Sequence, residues 1–348
     1  MSMADKSESR LQLPIGITMG DPAGIGPEII AKLFAEGIDG RAVVYGDLTI
    51  LRRAIAIVGA NLRVRKVVDA RGASCSRGTI DVIPLSWLPE DFPFGCVEAA
   101  AGRAAYDYLN AAIYDARAGE TGALVTAPIH KGALSRAGIR FPGHTEILSH
   151  QCGDVSVAMM LANGALRVLL VTIHVSLAEA IRSITLGAEL RAIKFAQDAC
   201  LATGINSPRI AVAGLNPHAG EGGLFGSEDG EIIAPAVAKA RACGIDVTGP
   251  WSGDTVFMRA RAGEFDIVVA QYHDQGLIPL KYLGLEDGVS VTVGLPFPRT
   301  SVDHGTAFDI AGTGRASHAS LRAAFRHAQM LRRFQASQHS EQRAGYAL

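Results

Sequence analysis

The chain has 348 residues, 48% of them hydrophobic, and its 33 lysines and arginines almost balance 34 aspartates and glutamates. That length exceeds one ordinary domain and supplies ample core, while the near-zero net charge leaves no overall field to draw the protein to nucleic acid or to an anionic membrane. A small molecule is the expected ligand.

In chain order, short β-branched runs alternate with longer alanine-rich segments, the pattern of strands and helices taking turns in a largely parallel α/β sheet. The polar start MSMADKSESRLQ predicts no leader peptide. PIGITMG predicts a strand and PEIIAKLFAEG a helix, with Pro27 suited to an early helical position. Between them GDPAGIGPE lacks both the GxGxxG spacing of a Rossmann turn and the GK[ST] of a P-loop. RAVVYGD is the next strand, CVEAAAGRAAYDYLNAAIYDARAG a long helix, TGALVTAP a buried strand and IHKGALSRAG a turn into a helix. FPGHTEIL then sets His144 and Thr145 at another turn into a helix, where Thr145 is either a ligand contact or a cap.

Three further strands, LRVLLVTIH, PRIAVAGLNPH and FDIVVAQYH, each end in a histidine and are separated by the helical stretches LGAELRAIKFAQDACLATG and IIAPAVAKARACG. The most apolar segment, ALRVLLVTIHVSLAEAI, is interrupted by Arg167 and His174, so no membrane span is expected. Five scattered cysteines without a CxxC pair do not form a disulfide framework and fit a reducing cytoplasm. The closing QASQHSEQRAGYAL is polar and expected to be loosely ordered.

Ligands of α/β sheets bind beyond the carboxyl ends of the strands, so His174, His218 and His273 are expected to face one functional edge. Three neutral imidazoles with an open fourth position describe a zinc-type catalytic site. Their spacing leaves open whether one chain supplies all three or a dimer divides them. Asp274 either orients His273 or is an ordinary loop carboxylate. GLNPHAGEGGLFG holds too much glycine for an element interior, which suggests backbone close to a ligand or else a flexible loop. Lys281, Arg299 and the hydroxyl groups of GLPFPRTS suit a phosphate or carboxylate, with solvated surface charge as the alternative.

Taken together, GDPAGIGPEI, TAPIHKGAL, FPGHTE, LNPHAGEGG, YHDQG and RTSVDHGTAFDIAGTG resemble the 4-hydroxythreonine-4-phosphate dehydrogenase family of pyridoxal phosphate biosynthesis, over roughly residues 14 to 330. The resemblance implies an NAD- or NADP-linked oxidation of 4-phosphooxy-L-threonine to a β-keto acid, which decarboxylates to 3-amino-2-oxopropyl phosphate. It further implies a divalent metal (Zn, Mg or Co), a cytoplasmic homodimer with the active site at the subunit interface, and a fold of two α/β/α lobes about a central cleft, like isocitrate and isopropylmalate dehydrogenases. The lobes are expected to comprise residues 1–140 with 305–348, and 141–304. By the same resemblance His174, His218 and His273 hold the metal, and His218, His273 and Asp254 are catalytic. His144, Thr145, Lys281, Ser290 and Arg299 contact substrate, and His304, Gly305, Thr306, Ala307 and Asp309 contact the dinucleotide. Ser290 stands where asparagine is expected; it lacks the amide donor, which leaves room for a threonate or erythronate 4-phosphate, or a cis-dihydrodiol carboxylate, as substrate.

Overall fold

The computed structural model describes residues 12–344 except 75, 165 and 285, with side chains to residue 334. Most of the polar N-terminal stretch and residues 345–348 therefore lie outside the described residues. The chain gathers into two compact units, Met1–Ser156 with Leu295–Leu348, and Val157–Gly294.

The first unit begins with β1 (Ile15–Thr18), α1 (Gly26–Glu36), β2 (Ala42–Gly46), α2 (Leu48–Ile57), β3 (Arg63–Lys66) and β4 (Thr79–Pro84). It continues with α3 (Ala99–Ala118), β5 (Ala123–Thr126), α4 (Lys131–Arg136) and α5 (His144–Gln151). In the second unit come β6 (Ala158–Asn163), β7 (Leu166–Leu170), α6 (Leu177–Ser183), α7 (Leu186–Leu201), β8 (Ile210–Ala213) and α8 (Ala234–Ala242). They are followed by β9 (Val247–Trp251), α9 (Val256–Arg261), β10 (Ile267–Ala270), α10 (His273–Tyr282) and β11 (Val289–Val293). The chain then returns to the first unit with β12 (Arg299–Val302) and α11 (Ala319–Ala344). Helix α11 thus runs through much of the polar tail that the sequence leaves unstructured.

In the first unit the strands stand in the order β3-β4-β2-β1-β5-β12, and every pair is parallel. Strands β1, β2, β5 and β12 are buried along their whole length. Such strands read as short continuous apolar runs rather than as alternation, because both sheet faces are covered. Local chemistry sets the helix limits: Asp47 caps α2 by accepting from the N–H groups of Thr49 (2.8 Å) and Ile50 (3.1 Å). Gly119 ends α3 at a φ of 72°, the left-handed C-terminal stop that glycine adopts without strain.

The second unit orders its strands β11-β6-β7-β10-β8-β9. Here β7, β10, β8 and β9 run parallel, whereas β6 is antiparallel to both β7 and β11. The sequence pattern does not announce that hairpin, because β6 (AMMLAN) carries no β-branched residue. Leu161, Val168, Leu170, Ala213, Phe257, Val268 and Leu277 belong to the core of this unit.

The unit boundaries fall at 156/157 and 294/295, against expected limits of 140/141 and 304/305. Packing explains the shift: α5 lies against α3, and β12 pairs with β5, so His144, Thr145 and Arg299 all belong to the first unit. Among the described residues Cys96, Cys152, Cys200 and Cys243 are free thiols, and no helix is long and apolar enough to cross a membrane.

One buried charge bears on stability. Glu189 on α7 is fully buried, and burial pushes its carboxyl up to about 8, with Gln271 opposing the shift and Asp229 adding to it. Neither Glu189 oxygen nor Gln271 Oε1 has a hydrogen-bond partner. Protonated, Glu189 offers the hydroxyl that Gln271 Oε1 lacks. A raised folded-state pKa means the proton is held more tightly in the folded chain. The penalty is absent below the unfolded carboxyl's pKa, grows as pH rises from there, and is complete above about 8. Glu189→Gln should therefore raise the melting temperature by several degrees at pH 8.5 and leave it unchanged near pH 4, from a stability gain of at most about 5 kcal/mol. Equal shifts in thermal melts at both pH values would show that Glu189 is not protonated in the folded protein.

Candidate active site

The three histidines sit beyond strands, not on them. His174 follows the end of β7, His218 follows β8, and His273 opens α10 just after β10. Because β7, β10 and β8 are mutually parallel neighbours, all three reach the same edge of the second unit's sheet. His174 and His273 stand side by side, with ring centroids 5.7 Å apart, and line a cavity of about 310 Å³ with Ile173, Val175 and Tyr272. His218 lines a larger one of about 750 Å³ with Ser252, Asp254 and Gln275; Tyr272 and Asp274 border both cavities. Among the described residues no three His, Cys, Asp or Glu side chains converge closely enough to hold a metal ion. The chain thus brings two of the expected ligands together and keeps the third one cavity away.

Asp274 is an exposed carboxylate that also reaches His273. Its Oδ1 lies 2.7 Å from His273 Nδ1, so the ring proton belongs on Nδ1 and Nε2 is left as the donor atom for a metal. The donor chemistry of the His174 and His273 pair fits a divalent ion of the zinc type.

His218 is held by main-chain geometry. His218, Ala219, Gly220, Glu221 and Gly222 all have positive φ, between 42° and 81°, so the backbone makes a left-handed turn. Three of these residues carry side chains, each costing roughly 1–3 kcal/mol in such a conformation. Asp229 offsets that strain. Its buried carboxylate accepts from the N–H groups of Leu215 (2.8 Å) and Asn216 (3.1 Å) and from Asn216 Nδ2 (2.9 Å). It opens a π-helical turn, Asp229–Ile233, that leads into α8. Gly214 permits the close approach, since a Cβ there would come within 2.7 Å of Asp229 Oδ1 and 2.8 Å of Ala219 Cα. The glycine-rich stretch is therefore a braced structure around His218. Nothing in the local sequence marks Asp229, whose partners lie more than ten residues upstream.

Asp254 is exposed in the His218 cavity and accepts from Ser252 Oγ at 2.7 Å. Lys281 lies exposed in the last turn of α10, about 12 Å along the helix from His273 by helical rise. Ser290 is half-buried on β11, opposite Leu161.

The first unit presents a second group of polar residues. Arg299 opens β12 and is 3% exposed, and its Nη2 donates to Thr126 Oγ1 at the end of β5. Thr126 in turn donates to Ser301 Oγ (3.0 Å), which donates to the Thr126 carbonyl (3.1 Å). Burial pulls the guanidinium down to about 9, which leaves it charged at neutral pH. His144 opens α5 and is held neutral: burial, and then the Arg299 charge, depress it well below the usual imidazole range. Its Nε2 is buried with no hydrogen-bond partner. Thr145 is not a cap, since Gly143 occupies that position. Thr126, at the end of its strand, is the residue of this group that the sequence did not single out.

At the same edge Asp21, following β1, accepts from Ala23 N with Oδ1 (2.9 Å), while Oδ2 is buried and unpartnered; burial pushes its carboxyl up to about 6, against that hydrogen bond. The loop after β12 carries His304, Gly305, Thr306, Ala307 and Asp309. His304 Nδ1 donates to the Gly305 carbonyl at 3.0 Å, leaving a buried Nε2 without a partner. Gly305 has open space where a side chain would stand, and Ala307 adopts a φ of 42°. A small-residue surface with an orphaned imidazole nitrogen fits a flat, polar-edged ligand such as a nucleotide base.

Comparison with known proteins shows what the whole chain is similar to. The family model described as pyridoxal phosphate biosynthetic protein PdxA matches residues 39–328. The 4-hydroxythreonine-4-phosphate dehydrogenase of Beijerinckia indica subsp. indica is 56% identical over 323 residues, covering 92% of this chain and 96% of that one. The D-threonate 4-phosphate dehydrogenase of Cupriavidus necator is 50% identical over 316 residues, covering 90% and 95%. A crystal structure of 4-hydroxythreonine-4-phosphate dehydrogenase from Klebsiella pneumoniae superposes with a TM-score of 0.84 at 46% identity, covering 92% of this chain and 99% of that one. Matched by that family model over most of its length, and by a relative at 56% identity, the chain belongs to the PdxA family of pyridoxal phosphate biosynthetic proteins.

Proposed function

We propose that this protein is a metal-dependent, NAD- or NADP-linked dehydrogenase that oxidises 4-phosphooxy-L-threonine to a β-keto acid, which decarboxylates to 3-amino-2-oxopropyl phosphate. The observation that carries the reading is Arg299, a buried cation at neutral pH braced by Thr126 beside a neutral His144. A phosphate dianion suits that setting, because a guanidinium matches its oxygens in a planar fork.

His174, His273 and His218 would hold the divalent ion, and His304, Gly305, Thr306, Ala307 and Asp309 the dinucleotide. When bound, the ion would supply Lewis-acid polarisation at the substrate's secondary hydroxyl and the nicotinamide a hydride acceptor. The chain's own residues do the rest. Asp274 fixes the His273 tautomer that leaves Nε2 available. Asp254 Oδ2, in the His218 cavity, takes the hydroxyl proton while Oδ1 remains bonded to Ser252. Lys281, Thr145 and Ser290 contribute to holding the substrate, which fixes the reacting carbon.

Two apolar groups favour a homodimer with the active site at its interface. Val175 and Leu177 are 48% and 58% exposed next to His174, and Leu224 and Phe225 are 74% and 47% exposed next to His218. Large apolar side chains clustered beside polar site residues mark a surface built to be covered. A second copy of the chain would then bring the third histidine to the His174 and His273 pair.

A second reading, oxidation of D-threonate 4-phosphate, is favoured by Ser290 in place of the expected asparagine, and it is the substrate in the name of the Cupriavidus necator relative. Incubation of the metal-loaded protein with each acid and with NAD or NADP, following reduced nucleotide by absorbance, should give faster turnover of 4-phosphooxy-L-threonine. Faster turnover of D-threonate 4-phosphate selects the second reading, and none with either removes both.

His273→Ala should lower metal affinity and turnover by at least about a hundredfold with a native circular dichroism spectrum. Unchanged metal content by elemental analysis would remove His273 from the ligand set. Arg299→Lys should raise KM for the phosphorylated acid by about tenfold and leave that of its dephosphorylated analogue unmoved. A parallel rise for both would show that Arg299 does not hold the phosphate.

A further inference from the structure

The motif GDPAGIGPE has no part in the scheme above, yet it grips the loop assigned to the dinucleotide. Residues 304–316 form no regular helix or strand, only local turns such as Ile310 N to the Ala307 carbonyl (3.1 Å), so tertiary contacts decide where those turns are held. One end is tied at Thr306, whose carbonyl accepts from Ile25 N at 3.0 Å. Gly24 lies so close that a Cβ there would come within 3.0 Å of Thr306 Cβ.

The other end is held by two side chains one turn apart on α1. Glu28 is fully buried, and its carboxylate accepts the N–H of Gly312 at Oε1 and of Gly314 at Oε2, the latter at 2.8 Å. Lys32 donates from Nζ to the carbonyls of Gly314 (2.7 Å) and Ala316 (2.6 Å). Positions four apart share a helix face, so one carboxylate collects the loop's donors while one ammonium collects its acceptors. Gly312 and Gly314 have φ of 80° and 71°. At Gly312 a Cβ would lie 2.8 Å from the Phe94 ring. Glycine is therefore needed there both for its conformation and for its size.

We infer that Glu28 and Lys32 are positioning residues for the dinucleotide, setting the shape of the 304–316 loop through a paired main-chain clamp. This rests on the assignment of His304 to Asp309 to the cofactor. Neither side chain is assigned a contact with the dinucleotide; both act through the backbone of 312–316.

The test uses the full-length protein and two variants, Glu28→Gln and Lys32→Met. NADH and NADPH affinity is measured by fluorescence titration, Zn²⁺ affinity by chelator competition, and loop release by the rate of trypsin cleavage after the exposed Arg315. Glu28→Gln replaces one acceptor oxygen by an amide that faces an N–H, and should weaken dinucleotide binding by about tenfold, equivalent to one charge-assisted hydrogen bond. Lys32→Met is half-buried and less disruptive; it should weaken binding severalfold. Both should speed cleavage at Arg315 and leave Zn²⁺ affinity unchanged. If Glu28→Gln does not fold, Lys32→Met alone decides. Wild-type dinucleotide affinity in a folded variant, or equal losses of dinucleotide and Zn²⁺ affinity, overturns the inference. Wild-type protein that binds neither NADH nor NADPH removes the cofactor assignment itself, and with it the role given to the clamp.

Discussion

Parallel strand pairing is the constraint on which the rest depends. A parallel strand cannot return through a tight hairpin, so each crossover leaves from one sheet edge, and the residues after each strand accumulate there. In the second unit that edge receives His174, His218, Asp254 and His273, drawn from four strand ends. In the first it receives Asp21, Thr126 and His304. Chemistry thus collects where strand polarity sends it, with the buried cores of Val, Ile and Leu behind it.

Charge at these edges is managed in three physically different ways. Glu28 and Asp229 are enclosed and saturated by main-chain or amide N–H groups. Such donors stabilise a carboxylate without adding a counter-charge. Glu189 and His144 instead give up their charge, because burial without adequate partners favours the neutral form. Arg299 cannot readily do so and is braced by hydroxyl groups. The first class shapes backbone and the third leaves positive potential for a ligand. Glu189, in the second class, stands behind the segment from Gln271 to His273 that carries the Asp274-oriented imidazole.

Much of this was legible in the sequence, and the parts that were not have definite reasons. The α/β class and the histidines at strand ends follow from local patterning, since a buried strand and a glycine-rich turn both leave short-range signatures. The strand limits were less exact: β7 and β8 stop before His174 and His218, because the apolar run continues into the loop. The antiparallel β6 and β11 pairings gave no signal, as register and direction are set by partners far along the chain. For the same reason Asp229 and Glu28 were invisible as anchors. Both act on backbone amides distant in sequence, and a carboxylate's partner cannot be inferred from its neighbours. That His218 stands a cavity away from the other two imidazoles is likewise a property of the folded backbone.

The division of the chain has a consequence for synthesis on the ribosome. Residues 157–294 form one uninterrupted unit, whereas the first unit is assembled from 1–156 and 295–348. While the middle segment emerges, β5 is already made but its outer edge awaits β12, and α11, which packs on both strands, does not yet exist. An open edge of buried, apolar character is a template for mispairing. The middle unit, complete in itself, can close first, and the nascent chain must keep that outer edge of β5 free of wrong partners until Arg299–Val302 arrives. Arg299, at the leading end of that late strand, is thus among the last residues of the candidate site to take its place.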